Sequence, residues 1–280
     1  RLPQGAQAGN PEWESFGRVF DAVANGADER VPASQGAKNL WLLKPTNGSC
    51  GKGIGVAGSL DELRRHYAGS EGGGEWVVQK YVEAPLLYAG RKFDVRIFAL
   101  LESASSNGAK NDFAWTTDLG LRLYVHREGY GRTTSEDFSL KETHNTMHLT
   151  NYAVQKGARH AGRYEKGNCV SFADLEKQLG PEVGWSEKVV PRMHALIADA
   201  VLAARPELLD TLHAANTPHA NYRTLLAFDL IVEEDGHPLL LEINPYPGMA
   251  PQSDWHGRYL KRVMDDYVGA CVDTTMGLTP

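Results

Sequence analysis

The 280-residue chain has little cysteine, and its three cysteines, Cys50, Cys169 and Cys271, lie far apart. Three thiols at these separations support neither a disulfide framework nor a zinc site, and they fit a reducing cytoplasm. No apolar run approaches the length of a membrane span, and no signal peptide is visible. The sequence therefore argues against a disulfide-stapled secreted domain and predicts no membrane partner.

The chain also lacks an excess of positive charge, with 29 lysines and arginines against 35 aspartates and glutamates and a net charge of −6. Binding to a phosphate backbone requires a basic face, so nucleic acid is not expected as a partner. An acidic protein substrate would need a local basic patch. One candidate patch, whose composition also fits a solvated loop, comprises Lys156, Arg159, His160, Arg163 and Lys166.

Common catalytic motifs are missing as well. No Ser/His/Asp order or Cys–His pairing indicates a nucleophile with its base. The glycine-rich loop that follows the predicted strand at residues 39–45 fits neither the P-loop spacing nor the dinucleotide fingerprint. Its glycines and two lysines, Lys44 and Lys52, suit an anion, although a flexible turn explains the same composition.

The most informative stretch runs from Leu226 to Asn244, where two apolar segments flank the turn dipeptide Asp235-Gly236. A loop symmetric about this dipeptide places Asp229 opposite Glu242, with Asn244 on the same face. Two facing carboxylates repel by about 3 kcal/mol at about 5 Å and an effective dielectric near 20. The pattern predicts a divalent cation, for which Mg²⁺ suits the oxygen ligands. The alternative is a carboxylate at a strand end in water.

Charged side chains also alternate with apolar ones from Arg91 to Phe98. On a strand, Lys92, Asp94 and Arg96 share one face, which is either solvated or meets a charged ligand. Lys80 lies in another apolar strand. The simpler interpretation is that its side chain lies at the solvent-exposed end of that strand. Cations, a glycine loop and a carboxylate hairpin together indicate nucleotide-dependent phosphoryl chemistry.

Mixed helical and strand patterns predict an α+β (α/β) fold. Residues 12–24 predict a helix, residues 76–82 and 121–126 predict strands, and the polar segment 103–112 predicts an inserted loop. Ser59 with Glu62 predicts a capped helix start.

Together, several segments resemble the tubulin–tyrosine ligase-like enzymes, which have the ATP-grasp fold. They run in the family's order and are residues 41–45 with the Gly-Lys-Gly-Ile loop, 76–87, 90–96, 127–133, 148–152 and the hairpin through Asn244-Pro245. The resemblance implies two α+β subdomains with mainly antiparallel sheets that clasp ATP. It implies an N-terminal linker and helix at 1–38 that belong to a preceding lobe, a central subdomain at 39–90 and a C-terminal subdomain at 91–280. Because the chain starts at Arg1, we expect the family's small N-terminal lobe to precede it.

The resemblance also assigns roles. Arg96 and Arg132 would be catalytic, binding the incoming amino acid's carboxylate and the transferring phosphate. Mg²⁺ would be bound by Asp229, Glu242 and Asn244. The ATP-binding residues would be Lys44, Gly51, Lys52, Gly53, Ile54, Gln79, Lys80, Tyr81, Val82, Lys92, Asp94, Thr150 and Asn151.

The implied activity is ATP- and Mg²⁺-dependent ligation of a free amino acid to carboxylates of tubulin through an acyl phosphate, on the acidic C-terminal tail. The loop sequence resembles the glutamylating branch of the family more than the tyrosine ligase, so glutamate is the expected amino acid, as in polyglutamylation, with addition of tyrosine or glycine as the alternatives. The expected location is the cytoplasm and the microtubule cytoskeleton, with the cilium or basal body as candidates. Alternatives are an ATP-grasp ligase for another substrate and a non-catalytic microtubule-binding pseudo-enzyme.

Overall fold

The computed structural model describes residues 10–32, 35, 38–69, 74–103, 115–116, 121–214 and 222–276. Apart from Ser103, the predicted inserted loop lies outside this part of the chain. The chain divides into two compact units: Arg1–Phe93 with Thr133–Tyr164 forms unit 1, and Asp94–Arg132 with Glu165–Pro280 forms unit 2. No helix in the described residues is long and apolar enough to cross a membrane.

Unit 1 contains a three-stranded antiparallel sheet in the order β2-β1-β3. Its helices and strands in chain order are α1 (Pro11–Ala24), β1 (Trp41–Pro45), β2 (Gly55–Ala57), α2 (Leu60–Ala68), β3 (Trp76–Lys80), β4 (Leu87–Tyr88), α3 (Asn145–His148) and α4 (Tyr152–Gln155).

Helix α1 packs against this sheet. Asn10 caps its N-terminus by accepting a hydrogen bond from the Glu12 amide, and Pro11 occupies the first turn, where no backbone donor is needed. Trp13, which is 1% exposed, joins Trp41 and Trp76 in the core. The helix predicted at residues 12–24 is therefore present, and it belongs to the core of unit 1.

Helix α2 begins where the sequence predicts. The Ser59 hydroxyl accepts a hydrogen bond from the Glu62 amide at 3.2 Å, and the Glu62 carboxylate accepts one from the Gly58 amide at 3.0 Å. These bonds satisfy two backbone donors around the helix N-terminus.

Unit 2 is built on an antiparallel sheet in the order β10-β9-β5-β7-β6, with β8 paired to β7. Its strands are β5 (Arg91–Ser103), β6 (Trp115–Thr116), β7 (Leu121–Thr133), β8 (Cys169–Ser171), β9 (Arg223–Val232) and β10 (Pro238–Asn244). The first three residues of β5 and the last residue of β7 belong to unit 1, where β4 pairs with Arg91 and Lys92.

The helices of unit 2 are α5 (Phe172–Leu179), α6 (Val190–Ala214) and α7 (Asp254–Met276), with a 3₁₀ turn at Lys166–Asn168 and a π-helical turn at Trp185–Val189. Helix α7 contributes Tyr259, Leu260 and Val263 to a core that includes Phe98 of β5 and Ala227 of β9. Helix α6 packs against β10.

The two units differ from the boundaries that the resemblance implies. Residues 133–164 group with the N-terminal segments, whereas the implied C-terminal subdomain runs unbroken from residue 91 to 280. The implied subdomain boundaries remain a prediction.

Candidate active site

The glycine-rich loop of unit 1 uses left-handed backbone conformations. Cys50, Gly51 and Gly53 have φ of 57°, 77° and 76°. A side chain at Gly51 would also place its Cβ only 2.9 Å from the Asn151 Oδ1 atom. Gly51 is therefore required both by its φ angle and by close packing against Asn151.

Side chains from two helices hold the end of this loop. The His66 ring nitrogen Nε2 lies 2.9 Å from the Gly53 carbonyl oxygen, and the Asn145 amide nitrogen donates to the Ile54 carbonyl at 3.0 Å. Lys52 is exposed and Lys44 is half-buried at the end of β1. The loop is thus fastened at Gly53 and Ile54 while Lys52 faces solvent.

Lys80 does not lie at a wet strand end. Its ammonium group donates to the Leu40 carbonyl at 3.0 Å, the Tyr81 carbonyl at 3.1 Å and the Glu83 carboxylate at 2.6 Å. The ammonium has three protons, and these three acceptors use all of them. The Lys80 side chain therefore ties the end of β3 to Leu40, the residue that precedes β1, which corrects the simpler interpretation from the sequence.

Lys92 is buried in unit 1, 7% exposed, and its ammonium donates to the Tyr81 hydroxyl at 2.9 Å. Thr150 is also buried. Among the other predicted ATP-binding residues of this unit, Tyr81 is buried, and Gln79, Val82 and Asn151 are half-buried.

Unit 2 contains a buried network of two arginines and two aspartates. Arg96 binds Asp229 through two hydrogen bonds of 2.7 Å. Arg132 donates from Nε to Asp94 at 2.8 Å, makes a second short bond to the same carboxylate, and reaches Asp229 at 2.8 Å. Of the two interpretations left open for this face of β5, the solvated one is excluded at Asp94, which is only 4% exposed.

The charges in this network are balanced. Burial raises the pKa of Asp229, but the charge of Arg132 and the bonds and charge of Arg96 outweigh it, so the pKa lies below its ordinary value. Burial lowers the pKa of Arg132, but Asp229 and Asp94 raise it well above its ordinary value. Asp229 therefore stays ionised between two permanent cations.

The hairpin brings Glu242 opposite Asp229, as predicted, although the strand register nearer the turn differs from the predicted one. Pro238 pairs with Val232 and Leu240 with Leu230, which is one residue away from the predicted register. A bulge at Leu241 then shifts the register, so that Glu242 pairs with Asp229. Without the bulge, Glu242 would pair with Phe228 and point to the opposite face.

The expected repulsion between the two carboxylates is relieved by protein cations. Arg96 pairs with Asp229 from β5 on one side while Glu242 pairs with it from β10 on the other. Asp229 is therefore neutralised by arginines in this structure, whether or not a metal ion binds beside it. Asp229 already accepts bonds on both oxygens.

Glu242 and Asn244 remain adjacent, and the Asn244 amide donates to the Glu242 carboxylate at 2.9 Å. Glu242 is exposed and Asn244 half-buried, and their carboxylate and amide oxygens are the donors that Mg²⁺ uses. The donor set therefore fits this ion. No group of three or more His, Cys, Asp or Glu side chains in the described residues could hold a metal. The predicted set contains only two such side chains, Asp229 and Glu242, because its third member is Asn244. The metal role of Asp229, Glu242 and Asn244 remains a prediction.

Two residues near this network have no sequence signal. His256 is 1% exposed, and its ring lies 4.5 Å from that of Tyr130. Its Nδ1 accepts a bond from the Gln252 amide at 3.2 Å. The Cys169 thiol donates to the Gln252 side chain at 3.1 Å, and burial raises its pKa to about 12. His256 and Cys169 belong to no sequence motif, so only the fold shows that both contact Gln252.

Residues 13–277 match the model of the tubulin-tyrosine ligase family. The chain belongs to this family. The α+β, ATP-grasp-like fold with antiparallel sheets is thereby confirmed.

Similar proteins include tubulin glycylase 3A of Drosophila melanogaster, 29% identical over 85% of this chain and 22% of the relative. Human tubulin monoglycylase TTLL3 is 30% identical over 85% of this chain and 29% of its own length. Human protein monoglycylase TTLL8 is 27% identical over 85% of this chain and 27% of its own length. The chain therefore spans less than a third of the length of these relatives. Their names give no support to the preference for glutamate.

Proposed function

We propose that this chain is the ligase domain of an ATP- and Mg²⁺-dependent enzyme that joins glycine to carboxylate side chains of tubulin. Membership of the tubulin-tyrosine ligase family carries this proposal, and the buried Arg96–Asp229–Arg132–Asp94 network supports it. A ligase of this type needs fixed cations where carboxylate and phosphoryl charges meet.

The family resemblance assigns ATP phosphates to the glycine-rich loop and Lys92 in unit 1, and adenine to the backbone of residues 79–82. In unit 2, Arg96 and Arg132 would bind the carboxylate of the free amino acid and the transferring phosphoryl group. Their guanidinium groups are planar and permanently charged, and their bonds to Asp229 and Asp94 fix their orientation. Because these guanidinium groups are already oriented, less free energy is needed to reorganise charges in the transition state.

The proposed reaction has two balanced steps. A carboxylate oxygen of the protein substrate forms a bond to the γ-phosphorus of ATP, and the bond from that phosphorus to the bridging oxygen breaks to release ADP. The neutral amino group of glycine then attacks the acyl carbon, the carbon–oxygen bond to phosphate breaks, and the amine loses a proton to solvent. When bound, Mg²⁺ would neutralise phosphate charge, held by Glu242 and Asn244 with Asp229.

Glycine replaces glutamate as the proposed amino acid because relatives from fly and human carry glycylase names. Tubulin is the proposed protein substrate for the same reason, and its acidic tail is the proposed acceptor. A cytoplasmic, microtubule-associated location follows from that substrate, with cilia or basal bodies as the finer proposal.

Isotope transfer tests the acyl-phosphate route. A synthetic acidic tubulin-tail peptide with ¹⁸O in its carboxylates is incubated with the protein, ATP, Mg²⁺ and glycine. We expect one ¹⁸O atom in the released phosphate for each amide bond formed, because the acyl carbon–oxygen bond is the one that breaks. Label in AMP would show adenylation of the carboxylate and would contradict the proposal.

A further inference from the structure

Three buried side chains in unit 1 form a directional hydrogen-bonded relay, defined here as Lys92, Tyr81 and His148. The Lys92 ammonium lies 2.9 Å from the Tyr81 hydroxyl, and that hydroxyl lies 2.8 Å from Nδ1 of His148. Nε2 of His148 lies 2.7 Å from the Glu142 carbonyl oxygen. Tyr81 and His148 are each 1% exposed.

The acceptor at the end of the relay fixes the direction of every bond. A carbonyl oxygen can only accept, so Nε2 of His148 carries the proton. In the neutral ring Nδ1 is then an acceptor, and the Tyr81 hydroxyl donates to it. The hydroxyl oxygen is left to accept from Lys92. Burial lowers the pKa of His148, which keeps the ring in this neutral state.

The relay is anchored on both sides. The Tyr81 amide donates to the Leu40 carbonyl at 3.0 Å, and the Thr134 amide donates to the Lys92 carbonyl at 2.9 Å. The Lys92 ammonium also lies 4.1 Å from the centre of the Tyr81 ring. Tyr81 therefore holds the cation both by its hydroxyl and by its ring face.

We propose that Tyr81 and His148 are positioning residues that fix the Lys92 ammonium for the phosphate groups of ATP, an inference that rests on the proposed function. A lysine side chain has several rotatable bonds, and restricting them before the nucleotide arrives reduces the entropy lost on binding. His148 acts on Lys92 through Tyr81. It accepts the hydroxyl proton of Tyr81, which leaves the hydroxyl oxygen to accept from Lys92.

A double-mutant cycle with the full chain tests this relay by isothermal titration calorimetry with ATP and Mg²⁺. Tyr81→Phe should weaken ATP binding about tenfold, the loss expected for one hydrogen bond to a charged group. Lys92→Met should weaken it at least as much. In the Lys92→Met background, Tyr81→Phe should have no further effect, because Tyr81 acts through Lys92.

A conservative pair of substitutions tests His148. His148→Asn leaves an amide oxygen near the former Nδ1 position and should bind ATP within about threefold of wild type, whereas His148→Leu should match Tyr81→Phe. Tyr259→Phe is the matched control, since it removes a buried hydroxyl that donates to the Glu128 carbonyl in unit 2; its ATP affinity should be unchanged.

Unchanged affinity of Tyr81→Phe, or losses for Tyr81→Phe and Lys92→Met that multiply in the double variant, would overturn the relay. Failure of the wild-type chain to bind ATP would instead contradict the proposed function. The two failures are therefore distinguishable.

Discussion

At the scale of the residue, the candidate site is governed by charges that neutralise one another out of water. Arg132 bonds to both Asp94 and Asp229, and Asp229 bonds to both Arg96 and Arg132. Removing one partner from such a buried pair leaves an uncompensated charge, which costs more than the pair contributes. The side chains of the site are therefore fixed by electrostatics before any ligand binds.

His256 should make stability depend on pH. Burial, together with the charges of Arg96 and Arg132, lowers its pKa from 6.5 to about 4. Between these two values the unfolded chain binds a proton that the folded chain does not, so stability falls as the pH drops from 6.5 towards 4. After a discount for solvent screening, the loss from this group is about 2 kcal/mol.

Urea unfolding at pH 7 and pH 4.5 measures this loss. His256→Asn keeps an acceptor for the Gln252 amide but does not titrate, so its stability should change less across the interval than that of wild type. His148 and His194, whose pKa values are also lowered, remain in both proteins as an internal control. Equal pH dependence of the variant and wild type would contradict the assignment.

At the scale of the element, the hairpin shows what the sequence can and cannot predict. The Asp235-Gly236 dipeptide correctly indicated the turn, and the pairing of Asp229 with Glu242 is confirmed. The bulge at Leu241 that produces this pairing was not predictable, because its neighbours Leu239 and Leu240 offer no local signal. Pattern alone gives strands and turns, while bulges depend on how neighbouring strands pack.

The site itself was predictable only in part. The alternation along β5 placed Asp94 and Arg96 on one face, but their partners lie 38 and 133 residues away in sequence, at Arg132 and Asp229. The same limit applies to His148, because its partner Tyr81 lies 67 residues away in the sequence. Such contacts are set by sheet order, which a single sequence does not encode locally.

The contact between the residues that precede β1 and the end of β3 should depend on Glu83. Its carboxylate, whose side chain is fully buried, accepts from the Lys38 and Leu40 amides and from the Lys80 ammonium. Glu83→Gln would leave Lys80 without its counter-charge and should reduce the free energy of unfolding by about 3 kcal/mol in urea denaturation.

The matched control for that substitution is Asp265→Asn. Asp265 pairs with Lys261 on the exposed face of α7, so its loss should cost less than about 0.5 kcal/mol. Stabilities of Glu83→Gln and Asp265→Asn that agree within error would show that burial adds nothing to the Glu83 pair.

At the scale of the whole molecule, the net charge of −6 opposes binding to an acidic substrate, so contact must be local. Residues 152–164 contain no aspartate or glutamate, and Lys156, Arg159 and Arg163 are exposed there. This segment is the strongest candidate in unit 1 for contact with an acidic tail.

Neutralising that segment should weaken substrate binding selectively. The triple change of Lys156, Arg159 and Arg163 to Gln should raise KM for tubulin about tenfold at low salt, with less effect at high salt, because exposed charges are screened. KM for ATP should stay constant. The same change at the exposed Lys177, Lys188 and Lys261 is the charge-matched control, and an equal rise in that protein would rule out a local patch.

Competition among amino acids tests the proposed activity most directly. The protein is incubated with tubulin, ATP and Mg²⁺ in the presence of equal, differently isotope-labelled glycine, glutamate and tyrosine, and the tubulin tails are analysed by mass spectrometry. We expect ATP-dependent addition of glycine, with one phosphate released for each residue added. If glutamate or tyrosine is added in its place, or no amino acid is added, the protein is not a glycine ligase for tubulin.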